Sequence, residues 1–183
     1  GVKSDYQKDI YDVNIFNSLK LLKNAILNNC KNWLIISTSS EYGLKRKKTY
    51  FNINTNRTPE TNYGMSKAIF TDQCINLAKK YKCKARIMRL FLIFGKGEDK
   101  NRLYPSLMRH IKNKKSFYIK NPNEIRDFTD IDYASKVILE AINFKKKKFK
   151  YNQTWHVSKN EVFSVKNFVK KIRQLNNGKN KLI

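Results

Sequence analysis

The chain contains little cysteine and histidine and no long apolar run, and each scarcity excludes a class of protein. Three cysteines, Cys30, Cys74 and Cys83, are an odd number without metal-ligand spacing, so we interpret them as reduced thiols of a cytoplasmic protein. The two scattered histidines, His110 and His156, favour surface or core packing over a metal site. No apolar run approaches the ~20 residues that span a bilayer, and no signal-peptide pattern opens the chain, so we predict no membrane partner.

Acidic residues are also few. The chain has 14 Asp and Glu against 39 Lys and Arg, which gives a formal net charge of +25. Lysine clusters at 45–48, 112–115 and 145–150 are a type of patch that binds nucleic acid or anionic surfaces. However, the chain is rich in Asn and Ile and poor in Gly, Pro and Ala, which favours a global substitution bias. We therefore do not expect specific nucleic-acid binding; the positive potential would instead help to attract anionic ligands.

Hydrophobic periodicity predicts an α/β protein with enough residues for one ordinary core. Strands are predicted at 33–37, 85–93, near 116–119, near 125–129 and at 154–157. Helices are predicted at 6–29, 60–81, 103–114, 130–143 and 165–175, the last with Ser164 as its N-cap. The polar residues 44–59 are predicted to form a loop at the active site.

Tyr63 and Lys67 are the most informative pair in the chain. They lie four residues apart, so on a helix they share one face. An ammonium beside a tyrosine favours the phenolate and lowers the pKa of the tyrosine from its usual value of about 10. Such a pair can transfer a proton near neutral pH. In a chain with ten tyrosines and many lysines, chance spacing is the alternative.

A second informative segment is the apolar run 33–36, which ends in hydroxyl residues and Gly43. The run is typical of a buried strand, and ligands of open α/β sheets bind at the carboxyl ends of strands. Hydroxyl groups at such a strand end can donate a hydrogen bond to a substrate oxygen. The alternative is a Ser/Thr-rich loop that only caps a turn.

Together the two segments resemble the NAD-dependent epimerase/dehydratase family, which consists of extended short-chain dehydrogenases/reductases that act on nucleotide sugars. Thr38 lies four positions before Tyr42 and 25 before Tyr63, as the family's catalytic Ser or Thr does. Further similar segments follow in the family's order, at 12–15 (Asp-Val-Asn-Ile), 89–95 (Arg-Leu-Phe-Leu-Ile-Phe-Gly), 101–105 (Asn-Arg-Leu-Tyr-Pro) and 126–131 (Arg-Asp-Phe-Thr-Asp-Ile). The resemblance implies a Rossmann-like parallel sheet with flanking helices, plus a small C-terminal α/β substrate-binding part.

The resemblance also implies a domain organisation. Residues 1–98 would form the C-terminal part of the Rossmann-like NAD(P)-binding domain, with the catalytic residues. Residues 99–183 would be mostly a truncated substrate-binding region, with some elements returning to the first domain. The family's Gly-x-x-Gly-x-x-Gly turn, which holds the cofactor pyrophosphate, is absent. We therefore expect a fragment that lacks the first strands, on the order of 60 residues or more.

The resemblance implies roles for four residues. Tyr63 would exchange a proton with a sugar hydroxyl while a hydride moves to or from the nicotinamide. Lys67 would lower the pKa of Tyr63 and bind the nicotinamide ribose, and Thr38 would orient the same sugar oxygen. Phe91 would lie near the nicotinamide. Whether the cofactor is NAD or NADP stays open, because the residue that distinguishes them lies in the part that we expect to be missing.

Two arginines are expected to bind the nucleotide-diphosphate sugar. Arg126 matches the family's arginine for the substrate diphosphate, a task that suits a bidentate guanidinium. Its alternative is a surface ion pair with Glu124 or Asp127. Arg102 stands where the family contacts substrate, although Asn is common there. Residues 117–119 (Phe-Tyr-Ile) would line the pocket for the base or pack as an ordinary strand.

Departures from the family pattern narrow the reaction. Ser39 and Ser40 stand where 4,6-dehydratases carry Asp and Glu, so a dehydratase is disfavoured. Leu92 replaces the usual Asn at the end of its strand. Residues 94–103 and 125–128 look most similar to reductases and epimerases of 6-deoxy- or 4-keto-sugar nucleotides. CDP-abequose synthase-like 4-ketoreductases are the nearest subgroup.

The predicted function is therefore that of an NAD(P)-dependent nucleotide-sugar epimerase or 4-ketoreductase. One alternative is a basic, non-catalytic module that binds nucleic acid. The other is an inert fragment of the enzyme, which we expect for the isolated 183 residues. A homodimer like that of the family would use helices 11–29 and 60–81, which is an analogy at the level of the fold.

Overall fold

Two compact units make up the chain. The computed structural model describes residues 7–43, 50–145, 148–179 and 181–183. The first unit comprises Gly1–Leu90 and Val137–Val157, and the second comprises Phe91–Lys136 and Ser158–Ile183. The chain thus leaves the first unit at Phe91, returns to it at Val137 and leaves it again after Val157. The assignment of cofactor binding to residues 1–98 and of substrate binding to residues 99–183 stays a prediction.

The first unit contains a parallel sheet of strands β1 (Asn32–Thr38), β2 (Lys84–Leu90) and β5 (Gln153–Val157) in the order β1-β2-β5. Leu90 pairs with Thr38 on one side and with Val157 on the other, so the three carboxyl ends line up. The predicted Rossmann-like parallel sheet with flanking helices is confirmed. Its carboxyl edge is the place where such sheets bind ligands.

Two helical segments pack on this sheet. The first runs from α1 (Gln7–Tyr11) through a π-helical segment (Asp12–Asn17) into α2 (Ser18–Leu27), and the second is α3 (Asn62–Lys80). The predicted helix at 6–29 is therefore confirmed for 7–27, whereas residue 6 lies outside the described residues. The packed core contains apolar side chains from the sheet and the helices, among them Leu22, Ile26, Trp33, Phe70, Cys74, Ala78, Ala85 and Ile87.

The second unit contains β3 (Leu92–Phe94), α4 (Leu103–Lys112), β4 (Ile125–Asp130), β6 (Val162–Ser164) and α6 (Val165–Leu175); α5 (Ile131–Ile142) begins here and ends in the first unit. Strand β4 pairs with β3 in parallel and with β6 antiparallel. Phe128 stacks on Phe168 within the core of this unit. Ser164 accepts a hydrogen bond from the backbone N–H of Asn167 at 3.1 Å, so the predicted N-cap is confirmed.

Two strand predictions were wrong. The apolar run 85–93 forms two strands, because β2 pairs with β1 and β5 only as far as Leu90, whereas β3 pairs with β4 in the other sheet. The run 116–119 forms a single bridge between Phe117 and Leu182. Phe117 and Ile119 are buried in the core, and Tyr118 is 69% exposed. Their burial in this core fits the packing alternative, and a pocket for the base at residues 117–119 stays a prediction.

None of the helices in the described ranges combines the length and the apolar character that crossing a bilayer requires. Of the lysine clusters, residues 112–115 are exposed, whereas 45–48, and 146 and 147 of the third cluster, lie outside the described residues.

Arg86 is a fully buried cation on β2. Because side chains alternate along a strand, Arg86 faces away from the core that contains Ala85 and Ile87. Its guanidinium donates to the carbonyls of Ala141 (2.7 Å), Phe149 (2.9 Å) and Asn143 (3.0 Å). The charge therefore ties the end of α5 and the segment before β5 to the sheet.

We predict that Arg86→Met lowers the free energy of unfolding by about 3 kcal/mol, because buried carbonyls lose their charged donor. Urea denaturation of the protein at neutral pH measures the loss. The matched control is Arg109→Met, since Arg109 is exposed on α4. Equal stability of the two variants would contradict the structural role of Arg86.

Candidate active site

Thr38 ends β1 and begins the next element. Its side chain accepts a hydrogen bond from the backbone N–H of Ser40 at 3.2 Å and so caps a 3-10 turn, Ser39–Tyr42. Thr38 is half-buried, and its hydroxyl also lies 3.2 Å from Ser40 Oγ. Because its backbone is extended and the turn then bends the chain away, the hydroxyl stays at the carboxyl edge of the sheet.

Helix α3 starts against this turn. Thr61 caps the helix by accepting from the N–H of Gly64 at 3.0 Å, which places Tyr63 in the first turn. A Cβ at Gly64 would lie 2.5 Å from the carbonyl oxygen of Ser40, so only glycine allows this close approach. Within the described part of the chain, the half-buried Tyr63 makes no side-chain hydrogen bond. Its phenol is therefore available to a ligand.

Lys67 follows one turn later on the same face. Its ammonium donates to the carbonyl of Ile36 on β1 at 2.8 Å, and within the described residues this is its only hydrogen bond. Burial lowers the pKa of Lys67, and the charge of Glu41 opposes that shift. The Lys67 ammonium keeps two further N–H donors beside the end of β1.

The end of α1 and the π segment together support α3 from the other side. Asn14 donates from Nδ2 to Ser66 Oγ at 3.0 Å, and Tyr11 donates to Asn62 Oδ1 at 3.4 Å. Ser66 is fully buried and lies between Tyr63 and Lys67 in the sequence. The π segment therefore holds the turn of α3 that carries both residues.

A buried carboxylate lies directly behind the Thr38 turn. Glu41 is fully buried, and its Oε1 accepts hydrogen bonds from the hydroxyls of Ser37 and of Thr71, the latter at 2.8 Å. Its Oε2 accepts from Arg89 at 2.5 Å and from Arg57 at 3.1 Å. All four donors satisfy one charge, as burial of a carboxylate requires.

Tyr42 joins this network to β5. Arg89 donates to the Tyr42 oxygen at 2.5 Å, and the same oxygen lies 2.6 Å from His156 Nε2. Burial raises the pKa of Tyr42 although Arg89 opposes it, so Tyr42 stays protonated at neutral pH. Burial, with a smaller effect of the Arg89 charge, lowers the pKa of His156 to about 4. The packing interpretation of His156 is confirmed.

The other predicted site residues lie in the second unit. Arg126 forms a close ion pair with Glu124, which is the alternative named for it, and Arg102 Nε pairs with Glu98 Oε1 at 2.8 Å. Phe91 begins this unit, directly after the residue that pairs with Thr38. Residues 50–59 of the predicted loop contain neither helix nor strand, and 44–49 lie outside the described residues.

The network around Glu41 was not predicted from the sequence. Two signals were available: a glutamate three residues after a buried strand, and arginines at 86 and 89 inside an apolar run. Charged residues in such places are paired almost without exception. Among the described residues, no group of three or more His, Cys, Asp or Glu side chains could hold a metal ion.

Both the sequence and the fold have known relatives. The sequence model of the NAD dependent epimerase/dehydratase family matches residues 1–154. The chain belongs to this family. No curated protein sequence matches the chain.

Solved structures share the fold at low identity. They include a UDP-N-acetylglucosamine 4-epimerase from Methanobrevibacter ruminantium in complex with UDP-N-acetylmuramic acid (TM-score 0.83, 22% identity). A dTDP-glucose 4,6-dehydratase from Bacillus anthracis with NAD has a TM-score of 0.81 at 19% identity. RMD from Pseudomonas aeruginosa, complexed with NADPH, has a TM-score of 0.84 at 15% identity. Each alignment covers 94% of this chain and 56%, 56% and 60%, respectively, of the other chain.

The low pKa of His156 gives a testable pH dependence. The unfolded histidine binds a proton below about pH 6.5, whereas the folded one does so only near pH 4. We predict that the free energy of unfolding falls as the pH drops through this window, and that it falls less steeply in His156→Gln. Urea denaturation at pH 7, 5.5 and 4.5 measures both slopes, with His110→Gln as the matched control. Parallel slopes for the His156 variant and the wild type would refute this prediction.

Proposed function

We propose that this protein is an NAD(P)-dependent nucleotide-sugar epimerase or 4-ketoreductase with Tyr63 as its acid/base. The observation that carries the proposal is the packing of the first turns of α3 against residues 36–40. Lys67 bonds to the carbonyl of Ile36, and Gly64 approaches Ser40 at the carboxyl edge of a parallel sheet. Family membership supports the same reaction class.

The roles follow from the chemistry of the three side chains. Lys67, held beside β1, lies one turn after Tyr63 on the same face of α3 and brings its ammonium to the side of the helix that carries the phenol. The phenolate takes a proton from a sugar hydroxyl, or the phenol returns one to a carbonyl oxygen. Thr38 donates a hydrogen bond to the same oxygen and thereby fixes which sugar carbon reacts.

NAD or NADP, when bound, accepts or supplies the hydride. In this chain Lys67 would bind the hydroxyls of the nicotinamide ribose, for which its two remaining N–H donors are suited. Phe91 would lie beside the nicotinamide ring, as its place after β2 suggests. Structural neighbours complexed with NAD or with NADPH support either cofactor.

Arg126 and Arg102 would bind the substrate diphosphate. Each guanidinium now pairs with a carboxylate, Glu124 or Glu98, and each is about two-fifths exposed. Exposed ion pairs of this kind are worth at most about 1 kcal/mol, so a diphosphate can displace the carboxylates. The pairs would hold the guanidinium groups in place until the anion binds.

Reduction or epimerisation at a sugar carbon is favoured over dehydration. Ser39 and Ser40 follow Thr38 and offer no carboxylic acid or base for an elimination. The resemblance to CDP-abequose synthase-like ketoreductases supports a 4-keto-sugar nucleotide as substrate. The predicted homodimer, cytoplasmic localisation and inertness of the isolated chain stay predictions.

We predict that Tyr63→Phe lowers kcat at least 100-fold in the natural protein, because general acid/base catalysis contributes about 10²–10⁴. Affinity for NAD(P)H, measured by its fluorescence, should change little. The matched control is Tyr81→Phe at the other end of α3, which should keep wild-type turnover. Full turnover in Tyr63→Phe would exclude the proposed role; nucleic-acid binding with a steep salt dependence and no turnover would support the binding-module alternative.

A second prediction concerns the reaction type. With a 6-hydroxylated nucleotide sugar, such as a dTDP- or CDP-hexose, the protein should not release a 4-keto-6-deoxy product. Mass spectrometry detects the loss of water from the substrate directly. Appearance of that product would show that Ser39 and Ser40 do not prevent dehydration.

A further inference from the structure

We propose that Glu41 is a positioning residue of the active site, which holds the Thr38 turn against the face of α3 that carries Tyr63 and Lys67. This inference rests on the proposed function and deepens it. Glu41 itself is fully buried and is not offered as a group that touches substrate.

The Glu41 carboxylate holds the chain in place on both sides of Thr38. Ser37, directly before Thr38, donates its hydroxyl to Glu41 Oε1, and Glu41 lies at the third position of the turn that Thr38 caps. The carboxylate thus fixes the chain on both sides of Thr38. A displacement of the turn would move the Thr38 hydroxyl with it.

Glu41 Oε1, which accepts from Ser37, also binds helix α3. Thr71 donates to Glu41 Oε1 at 2.8 Å and lies 3.1 Å from Ser37 Oγ. Tyr63, Lys67 and Thr71 are spaced four residues apart, so they follow one face of the helix. Glu41 therefore fixes the rotation of this face relative to β1 at one end, while Lys67 and Gly64 contact β1 and Ser40 further along.

The other carboxylate oxygen of Glu41, Oε2, binds two arginines from different parts of the first unit. Glu41 Oε2 accepts from Arg89 of β2 and from Arg57 of the loop before α3, and Arg57 Nη2 also donates to both carboxylate oxygens of Asp72 of α3, at 2.7 and 2.9 Å. One buried charge thus connects β1, β2, the loop and α3. Besides connecting these segments, the negative charge of Glu41 acts on Lys67, because it opposes the fall in the pKa of that lysine.

The test compares Glu41→Gln with the wild type in the natural protein, assayed well below the unfolding temperature of each. We expect kcat to fall about 10- to 100-fold with KM and NAD(P)H affinity nearly unchanged, because a small misplacement of a reacting group costs that much. Glu41→Asp, which keeps the charge, should recover part of kcat. Amide hydrogen exchange of residues 38–43 should become faster in Glu41→Gln.

A pH profile separates positioning from general destabilisation. The titratable and charged groups around Lys67 are Glu41 from the turn, Arg57 and Arg89 behind it, and the Tyr63 phenol and Cys74 thiol on its own helix; burial raises the pKa of Cys74 to about 12. Loss of the Glu41 charge lowers the pKa of Lys67 further. The alkaline limb of kcat/KM should therefore move to lower pH in Glu41→Gln and not in Arg86→Met.

Arg86→Met is the matched control, because it removes a buried charge from the same sheet at its opposite end. An equal loss of kcat in Arg86→Met and Glu41→Gln, or wild-type kcat in Glu41→Gln, would overturn the positioning role. If the wild type itself turns over no nucleotide sugar, or Tyr63→Phe stays active, the proposed function fails instead. The two failures are therefore distinguishable.

Discussion

The buried charge of Glu41 is the constraint on which the rest of the first unit depends. A carboxylate without solvent must find its donors within the protein, because an unpaired buried charge is very costly. The donors come from β1, β2, α3 and the loop before α3, so each of these segments has only one acceptable position. Many apolar packings of these segments would be nearly equivalent in energy, whereas directional bonds to one carboxylate select among them.

The network extends through Arg89 to the third strand. Arg89 stacks on the Tyr42 ring at 4.6 Å, and the Tyr42 hydroxyl lies close to His156 on β5. The three strands are therefore joined at their carboxyl ends by side chains as well as by the ladder. This end of the sheet combines high polarity with near-complete burial, which suits a surface that must keep its shape when a ligand replaces water.

Most helices could be predicted from the sequence, because local periodicity and caps determine them. Helix α6, with its apolar stripe and the Ser164 cap, is an example: the predicted range 165–175 agrees with the structure at both ends. The break between β2 and β3 could not be predicted in this way, since Leu90 and Leu92 are equally apolar and differ only in their strand partners. The pairing of the four donors with Glu41 likewise depends on residues up to 48 positions apart. The spacing of Tyr63 and Lys67 indicated them as candidate site residues, but no spacing indicated the buried charge of Glu41.

The π segment Asp12–Asn17 has a consequence for the evolution of this helix. A π turn accommodates one residue more than an α turn, and a regular helix rotates by about 100° per residue. Deletion of a single residue here would restore regular winding, but it would rotate Tyr11 and Asn14 away from Asn62 and Ser66. The irregular winding therefore fixes the rotation of one end of the helix relative to the other. Insertions or deletions at this point should be far less acceptable than substitutions.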